Sequence, residues 1–292
     1  MSSWRLSLRE HFYRMAATGW ISRRLFPPEI PDWKTLPAKS DHLHLEIVSH
    51  CWNYSHLQAY QLSSLVLFPP SKISVQLTVF YSVEDVKTVE LLNFFGQHSP
   101  PNVTWKWWPL ERTSLFRRGI GRNLAARATA ADWIWFTDCD QLFHRGCLDS
   151  LADQLSGRND PLVFPTQVSC TALLDGDDEL LQAGSLGPAV VQIDPERFKS
   201  VSHEKAIGAL QIAHGDVARR VGYCDCIPHY QTPVRHWQKT FEDRAFRWLI
   251  GSQGTPINVP GLFRIEHIQK GRYESNAKSA WLRKALRRIR GR

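Results

Sequence analysis

The sequence predicts an α/β protein: a mixed, mostly parallel sheet with helices on both faces. Three observations carry this. Strand-like and helix-like segments alternate from residue 42 to 155. With 292 residues, 43% of them hydrophobic, the chain is long enough to bury a large core. The aromatic run ADWIWFTDCDQLF, 131–143, leads straight into two aspartates, as the end of a buried strand does in such sheets.

The elements follow in order. HLHLEIVSH (42–50) reads as a first strand and YSHLQAYQLSSLVLF (54–68) as an amphipathic helix. ISVQLTVFYS (73–82) is a second strand and VEDVKTVELLNFF (83–95) a second helix. A short strand in NVTWKWWPL (102–110), a helix in GIGRNLAARATAA (119–131) and the strand DWIWFTD (132–138) come next. A helix over 148–155, the strand PLVFPTQVS (161–169) and the acidic loop LDGDDEL (174–180) lead into a less regular half that runs to about residue 275. This βαβα order favours parallel pairing, with ligands gathering at the carboxyl ends of the strands.

The net charge of +8 sits at the ends. Residues 1–24 carry five arginines against Glu10, or +4, and residues 281–292 carry +6 with no acid, which leaves the body near −2. A nucleic-acid interface is therefore not expected on the body. Six cysteines form neither a CxxC pair nor a zinc spacing, so reduced thiols are expected. No apolar run resembles a signal peptide or reaches the roughly 18 residues of a membrane span, and a cytoplasmic location is expected. The division expected is a basic N-terminal segment (1–40), a domain over 41–275 and a basic amphipathic C-terminal helix (276–292), in which Trp281, Leu282, Ala285, Leu286 and Ile289 share one face. That helix suits the inner, anionic face of a membrane through 278–292, or docks its apolar stripe on the domain. The N-terminal WRLSLREHFYRMAATGWISRRLF (4–26) is a similar but less regular mix, and two basic amphipathic terminal segments on a near-neutral body point to peripheral membrane contact.

Asp138 and Asp140 close the strand at 132–138. Carboxylates there need a metal ion, a basic partner or solvent, because charge is costly to bury alone. Hard oxygen ligands suit Mg²⁺ or Mn²⁺ and leave positions for phosphate oxygens. A second D-x-D, Asp175 to Asp177, lies in a Gly-containing loop and reads as a solvated turn. Just upstream of the first, FRRGIGRN places Arg117, Arg118 and Arg122 at a helix start, where guanidinium forks and free N–H groups favour a phosphate.

The run RRGIGRNLAARATAADWIWFTDCDQLF resembles the nucleotide-sugar core of GT-A glycosyltransferases of the family 2 type. FEDRAFRWLIGSQGTPINVPGLFRIEHIQKGRY (241–273) resembles the acceptor half of the same superfamily. The resemblance implies a GT-A, Rossmann-like fold, with a nucleotide-sugar half over about 41–145 and an acceptor half over about 146–275. It implies a metal-dependent, inverting transfer of a sugar from a nucleotide-diphosphate donor, a UDP-sugar for preference, to a hydroxyl of a glycan or lipid-linked acceptor. Mn²⁺ or Mg²⁺ would be held by Asp140, with Asp138 on the ribose or the metal and His267 as a third ligand. Asp243 would be the general base, with Glu242 orienting the acceptor or substituting as base. Arg118, Arg122, Asn123 and Arg272 would meet the donor, and the exit of the first strand, Ser49, His50, Cys51, Trp52 and Asn53, would line the nucleoside pocket.

Plainer readings stand beside these. Glu242 and Asp243 open a helix, where acids complement the dipole, and a lone histidine after GLFRIE is also an ordinary structural residue. His229, His236 and Trp237 suit either an acceptor wall or buried packing. Two rival functions are a sugar-1-phosphate nucleotidyltransferase, for which HCWNYSH lacks the Gly-rich loop, and a non-catalytic membrane- or polyanion-binding protein, which only the basic ends support.

Overall fold

The computed structural model describes residues 3–26, 30–237 and 240–268. The helix expected over 276–292 and the candidate Arg272 lie outside them. Strands are β1 (Leu43–His50), β2 (Ile73–Tyr81), β3 (Val103–Pro109), β4 (Trp133–Phe136), β5 (Gln141–Phe143), β6 (Leu162–Pro165), β7 (Gln167–Thr171), β8 (Phe198–Ser202), β9 (Gln211–His214), β10 (Thr255–Ile257) and β11 (Leu262–Arg264). Helices are α1 (Ser3–Met15), α2 (Ser55–Leu67), α3 (Val86–Phe95), α4 (Arg112–Leu115), α5 (Arg118–Ala128), α6 (Cys147–Leu155), α7 (Glu179–Ala183), α8 (Gly215–Val221), α9 (Pro228–Gln231) and α10 (Glu242–Ile250).

Seven strands form one sheet in the order β10-β6-β9-β4-β1-β2-β3, and β5-β11-β7-β8 form a second. In the large sheet β4, β1, β2 and β3 run parallel and only β9 is antiparallel to its neighbours. Ile47, Ile134, Trp135, Phe136 and Ile212 are fully buried at its centre, which is why these strands are apolar on both faces. The chain proceeds from β1 outward to β2 and β3, then returns to place β4 on the other side of β1. The gap between the carboxyl ends of β1 and β4 is thus the topological switch point, where open α/β sheets bind ligands.

Two expected elements differ. The single strand over 161–169 is broken at Thr166 into β6 and β7, which belong to different sheets. Pro165 has no N–H for the ladder, and the Thr166 N–H turns to the Ile257 carbonyl at 3.0 Å. Helix α2 is not half solvated: nine of its thirteen residues are buried, among them Gln58, Gln61, Ser63 and Ser64. Its polar side chains are spent on internal hydrogen bonds (below). The acidic loop ends in the short α7, capped by the Asp178 carboxylate, which accepts from Leu180 N at 2.9 Å.

The N-terminal segment is part of the fold. Ala16 is buried, Tyr13 lies 6.2 Å from Tyr230 between ring centres, and Trp248 of α10 donates its indole N–H to the Ile21 carbonyl at 2.9 Å. Gly19, at φ +100°, makes the reversal between α1 and this anchor.

Candidate functional site

A cleft opens at the switch point. His50, Trp52, Tyr54, Arg118, Asp138, Asp140, Trp237 and His267 line it, with Leu57, Leu115, Phe116 and Cys139. Four elements supply the polar groups: β1 ends on His50, α5 begins on Arg118, the turn after β4 carries Asp138 and Asp140, and His267 follows β11 and bridges to Leu174.

The aspartates sit where the chain passes from the large sheet into the small one. Ile265 N donates to the Asp140 carbonyl at 3.0 Å. Gln61 of α2 reaches under the turn and donates to the carbonyls of Asp138 (3.1 Å) and Gln141 (2.9 Å). Gln58 Nε2 donates in turn to Gln61 Oε1 at 2.9 Å. Satisfied buried polar groups of this kind fix a unique geometry. The sequence held this support as two glutamines three apart, Gln58 and Gln61, in the helix SHLQAYQLSSLVL.

Arg118 is the arginine at the cleft wall. Its Nη1 lies 2.5 Å from Asp138 Oδ1 and its Nε 3.5 Å from Glu242 Oε1; Asp138 foremost holds its pKa above the ordinary arginine value. Arg122, one turn along α5, is fully buried. It donates to the Tyr223 hydroxyl at 2.8 Å and touches Asp138 Oδ1 at 3.5 Å. Its expected place in a phosphate cradle is corrected to a support beneath Asp138. Asn123 points away: Nδ2 donates to Asp225 at 2.6 Å and Oδ1 accepts from Tyr223 N at 2.9 Å, which locks the loop after α8. Arg117 is buried too, donating to the Thr232 carbonyl at 3.3 Å.

At the β1 exit the expectation divides. His50 lines the cleft, stacked on Phe80 at 5.1 Å between ring centres. Burial first, then Arg122 and Arg118, depress its pKa far below the usual histidine value, so the ring is neutral. Ser49 lies beneath, donating to Gln58 Oε1 at 3.3 Å, and Asn53 takes a φ of +56° with its N–H on Asp85 at 2.6 Å. Neither is among the cleft residues, nor is Cys51; of that stretch His50 and Trp52 line it, and Tyr54 joins them. Trp52 meets Phe116 edge to face at 5.4 Å, forming an aromatic wall. Phe116 and Tyr54 were not singled out from the sequence, although Phe116 directly precedes the arginine pair.

Glu242 and Asp243 are not cleft-lining residues. Glu242 is buried behind Arg118 and hydrogen-bonded to Thr240. Burial works against its charge, but Arg118 and Arg122 outweigh it and its pKa lies below the ordinary glutamate value. An ionised, buried carboxylate of this kind is a counter-charge, and its expected contact with an acceptor is corrected to a contact with Arg118. Asp243 is more open, with 29% of its side chain exposed, 3.6 Å from Arg247. The α-carbon of Gly208 faces it, and a Cβ there would lie 3.4 Å from that of Asp243. His229 is buried against Tyr13 and Arg117 rather than forming an acceptor wall; Trp237 is the member of that stretch in the cleft.

The donor set bears on the expected cation. Asp140 and His267 offer an oxygen and an imidazole nitrogen to one cleft, a set that Mn²⁺ accepts, whereas Asp138 is engaged by two guanidinium groups. Among the described residues no group of three or more His, Cys, Asp or Glu side chains converges as a metal cluster. The Asp175 and Asp177 loop gathers Asp178, Glu179 and Arg197 elsewhere, and Arg197 pairs with Asp178 at 2.7 Å.

No family model matches this chain, and no curated protein matches it in sequence. Solved structures do resemble it. A mannosyltransferase from Pyrobaculum calidifontis in complex with GDP-Man and Mn²⁺ matches 98% of this chain and 74% of its own at 15% identity, with a TM-score of 0.44. S. aureus TarS 1–349 in complex with UDP-GlcNAc matches 80% of this chain at 9% identity and a TM-score of 0.50. The same protein in complex with UDP matches 76% at 11% identity and 0.51. The chain spans 61% and 60% of the lengths of those two TarS chains. With the strand order above, the TarS likeness shows that this chain has the GT-A fold.

Proposed function

We propose that the cleft binds a nucleotide-diphosphate sugar, a UDP-sugar for preference, and transfers the sugar with inversion to a hydroxyl of a glycan or lipid-linked acceptor. The observation that carries this is the gathering of Arg118, Asp138, Asp140 and His267 at the topological switch point beside an aromatic wall. A guanidinium fixed from both sides by carboxylates is preorganised for a diphosphate, and Trp52 offers a face to a base or sugar ring. Glu242 and Asp138 hold Arg118 in place. Asp243 takes the proton of the attacking hydroxyl as its oxygen bonds to the anomeric carbon, and the anomeric C–O bond breaks with its electron pair leaving on the diphosphate. A divalent ion held by Asp140 and His267 would supply Lewis-acid stabilisation of that leaving group. Contact with a membrane surface belongs to the same proposal, through residues 278–292.

The test is a thermal-shift panel of UDP-, GDP- and dTDP-sugars with and without Mn²⁺, since a ligand that binds only the native state raises its stability. A shift with UDP-sugars that Asp140→Ala loses in its Mn²⁺-dependent part is expected, together with transfer that Asp243→Asn stops without changing donor binding. No shift with any nucleotide sugar refutes the donor assignment, and surviving transfer in Asp243→Asn refutes the base.

A further inference from the structure

Ten large apolar side chains are exposed among the described residues, and five of them lie in the first 25: Leu8 (59% exposed), Phe12 (50%), Met15 (43%), Trp20 (78%) and Leu25 (74%). Leu8, Phe12 and Met15 stand at i, i+4 and i+7 of α1, one stripe of a helix. The opposite stripe, Glu10, Tyr13 and Ala17, is the less exposed side, and through Tyr13 it faces His229 and Tyr230 of α9. Helix α1 is thus already docked by one face and presents a second apolar face outward. Exposed arginines flank that face: Arg9 on α1, and Arg24 beside Trp20 and Leu25 along the chain. Within 3–26 the segment carries Arg5, Arg9, Arg14, Arg23 and Arg24 against Glu10.

We infer that the outer face of α1, continued through Trp20 and Leu25, is a docking surface for an anionic phospholipid bilayer. An apolar stripe edged by arginines, with a tryptophan at its rim, has the make-up of a helix lying in the plane of the headgroups, the apolar side chains below and the guanidinium groups at phosphate level. The charge favours a lipid surface over a second copy of this chain, which would set basic faces against each other. The site lies on the other side of this helix: its inner face packs on α9, and Glu10 there feels Arg117, the neighbour of Arg118, together with Glu242. The surface is independent of the donor assignment and stands or falls separately.

The test uses the full chain and sedimentation with phosphatidylcholine vesicles prepared with and without phosphatidylglycerol. Binding is expected only to the anionic vesicles. Leu8→Ser, Phe12→Ser and Leu25→Ser together should weaken it by roughly tenfold or more, since even partial burial of three such side chains exceeds 1.4 kcal/mol. Arg9→Gln and Arg24→Gln should weaken it by roughly fivefold each, as about 1 kcal/mol per arginine near such a surface predicts. Vesicles with brominated acyl chains should quench part of the tryptophan emission, and Trp20→Phe, which replaces an exposed ring without touching the core, should remove that part. Unchanged sedimentation of the triple-serine variant, quenching that Trp20→Phe leaves untouched, or a concentration-dependent dimer that the serine substitutions dissolve would each overturn the assignment. UDP-sugar thermal shifts of the same variants keep a failure here distinct from a failure of the donor reading.

Discussion

Removing the guanidinium of Arg118 isolates what the cleft's charge network does. The side chain is 27% exposed and holds Asp138, itself 36% exposed, while Glu242 behind it is only 2% exposed. Deleting one partner of a fully buried pair costs about 3–5 kcal/mol. Here the open side of the network screens part of the loss, and Arg122 continues to face Asp138 at 3.5 Å. Arg118→Ala should therefore lose about 2–3 kcal/mol, nearly all of it from the charge left on Glu242. Adding Glu242→Gln removes that charge and keeps the side-chain volume, so the double variant should regain about 1–2 kcal/mol, a coupling of the size that neighbouring residues show. Donor binding should behave differently, because Arg118 is the group proposed to meet the diphosphate. Urea unfolding would give the stabilities and the UDP-dependent thermal shift the binding. The expected pattern is restored stability with no restored shift. A double variant no more stable than Arg118→Ala, or one that again responds to UDP, would refute the division of labour between the two residues.

Other outcomes follow from the same geometry. A Cβ on Gly121 would lie 2.3 Å from His50 Nε2 and 3.0 Å from the Phe80 ring; Gly121→Ala should cost about 1–2 kcal/mol despite its better helix propensity, with donor affinity falling as His50 shifts, as denaturation and thermal shift would show. Burial first, with Arg117 and Arg9, lowers the pKa of His229 to about 4. Below the usual histidine value of 6.5 the unfolded chain binds a proton that the folded one refuses, so stability should fall by up to about 3 kcal/mol between there and pH 4, and His229→Asn should flatten that slope in a pH series of unfolding curves. Glu242, whose pKa is depressed, contributes above the unfolded value of 4.5 and loses its contribution as pH falls below it. Gln61→Leu keeps the size of the side chain but strands the carbonyls of Asp138 and Gln141; it should lose about 1–3 kcal/mol and the Mn²⁺-dependent part of any UDP-sugar shift.

The sheet was legible because its signals are local. Strands β1 to β4 lie within a residue or two of their apolar runs, and the aspartates follow β4 as expected. Direction was harder to read than charge. FRRGIGRN announced a basic helix start, but composition does not say that Arg118 faces a cleft while Arg122, on the same side one turn deeper, ends on Tyr223 and Asn123 on Asp225. Helix α2 misled in the opposite way, since its glutamines and serines look like a solvated face until the sheet junction they serve is seen. The break between β6 and β7 depends on which sheet each half joins, a long-range pairing that a run of β-formers does not encode. Glu242 and Asp243 were both plausible bases in sequence, and only burial separates the counter-ion from the more open carboxylate.

The turn carrying Asp138 and Asp140 spans the seam between two sheets, anchored to the large one by β4, to the small one by β5 and Ile265, and from below by Gln61. Thr166, between β6 and β7, is a second short link between the same sheets, and a tilt of one sheet on the other would have to be absorbed at these bridges, since the packed layers on either side do not stretch. Arg118 is carried by α5 and His267 follows β11 of the small sheet. A molecule held by both would therefore tie the two sheets together across the seam.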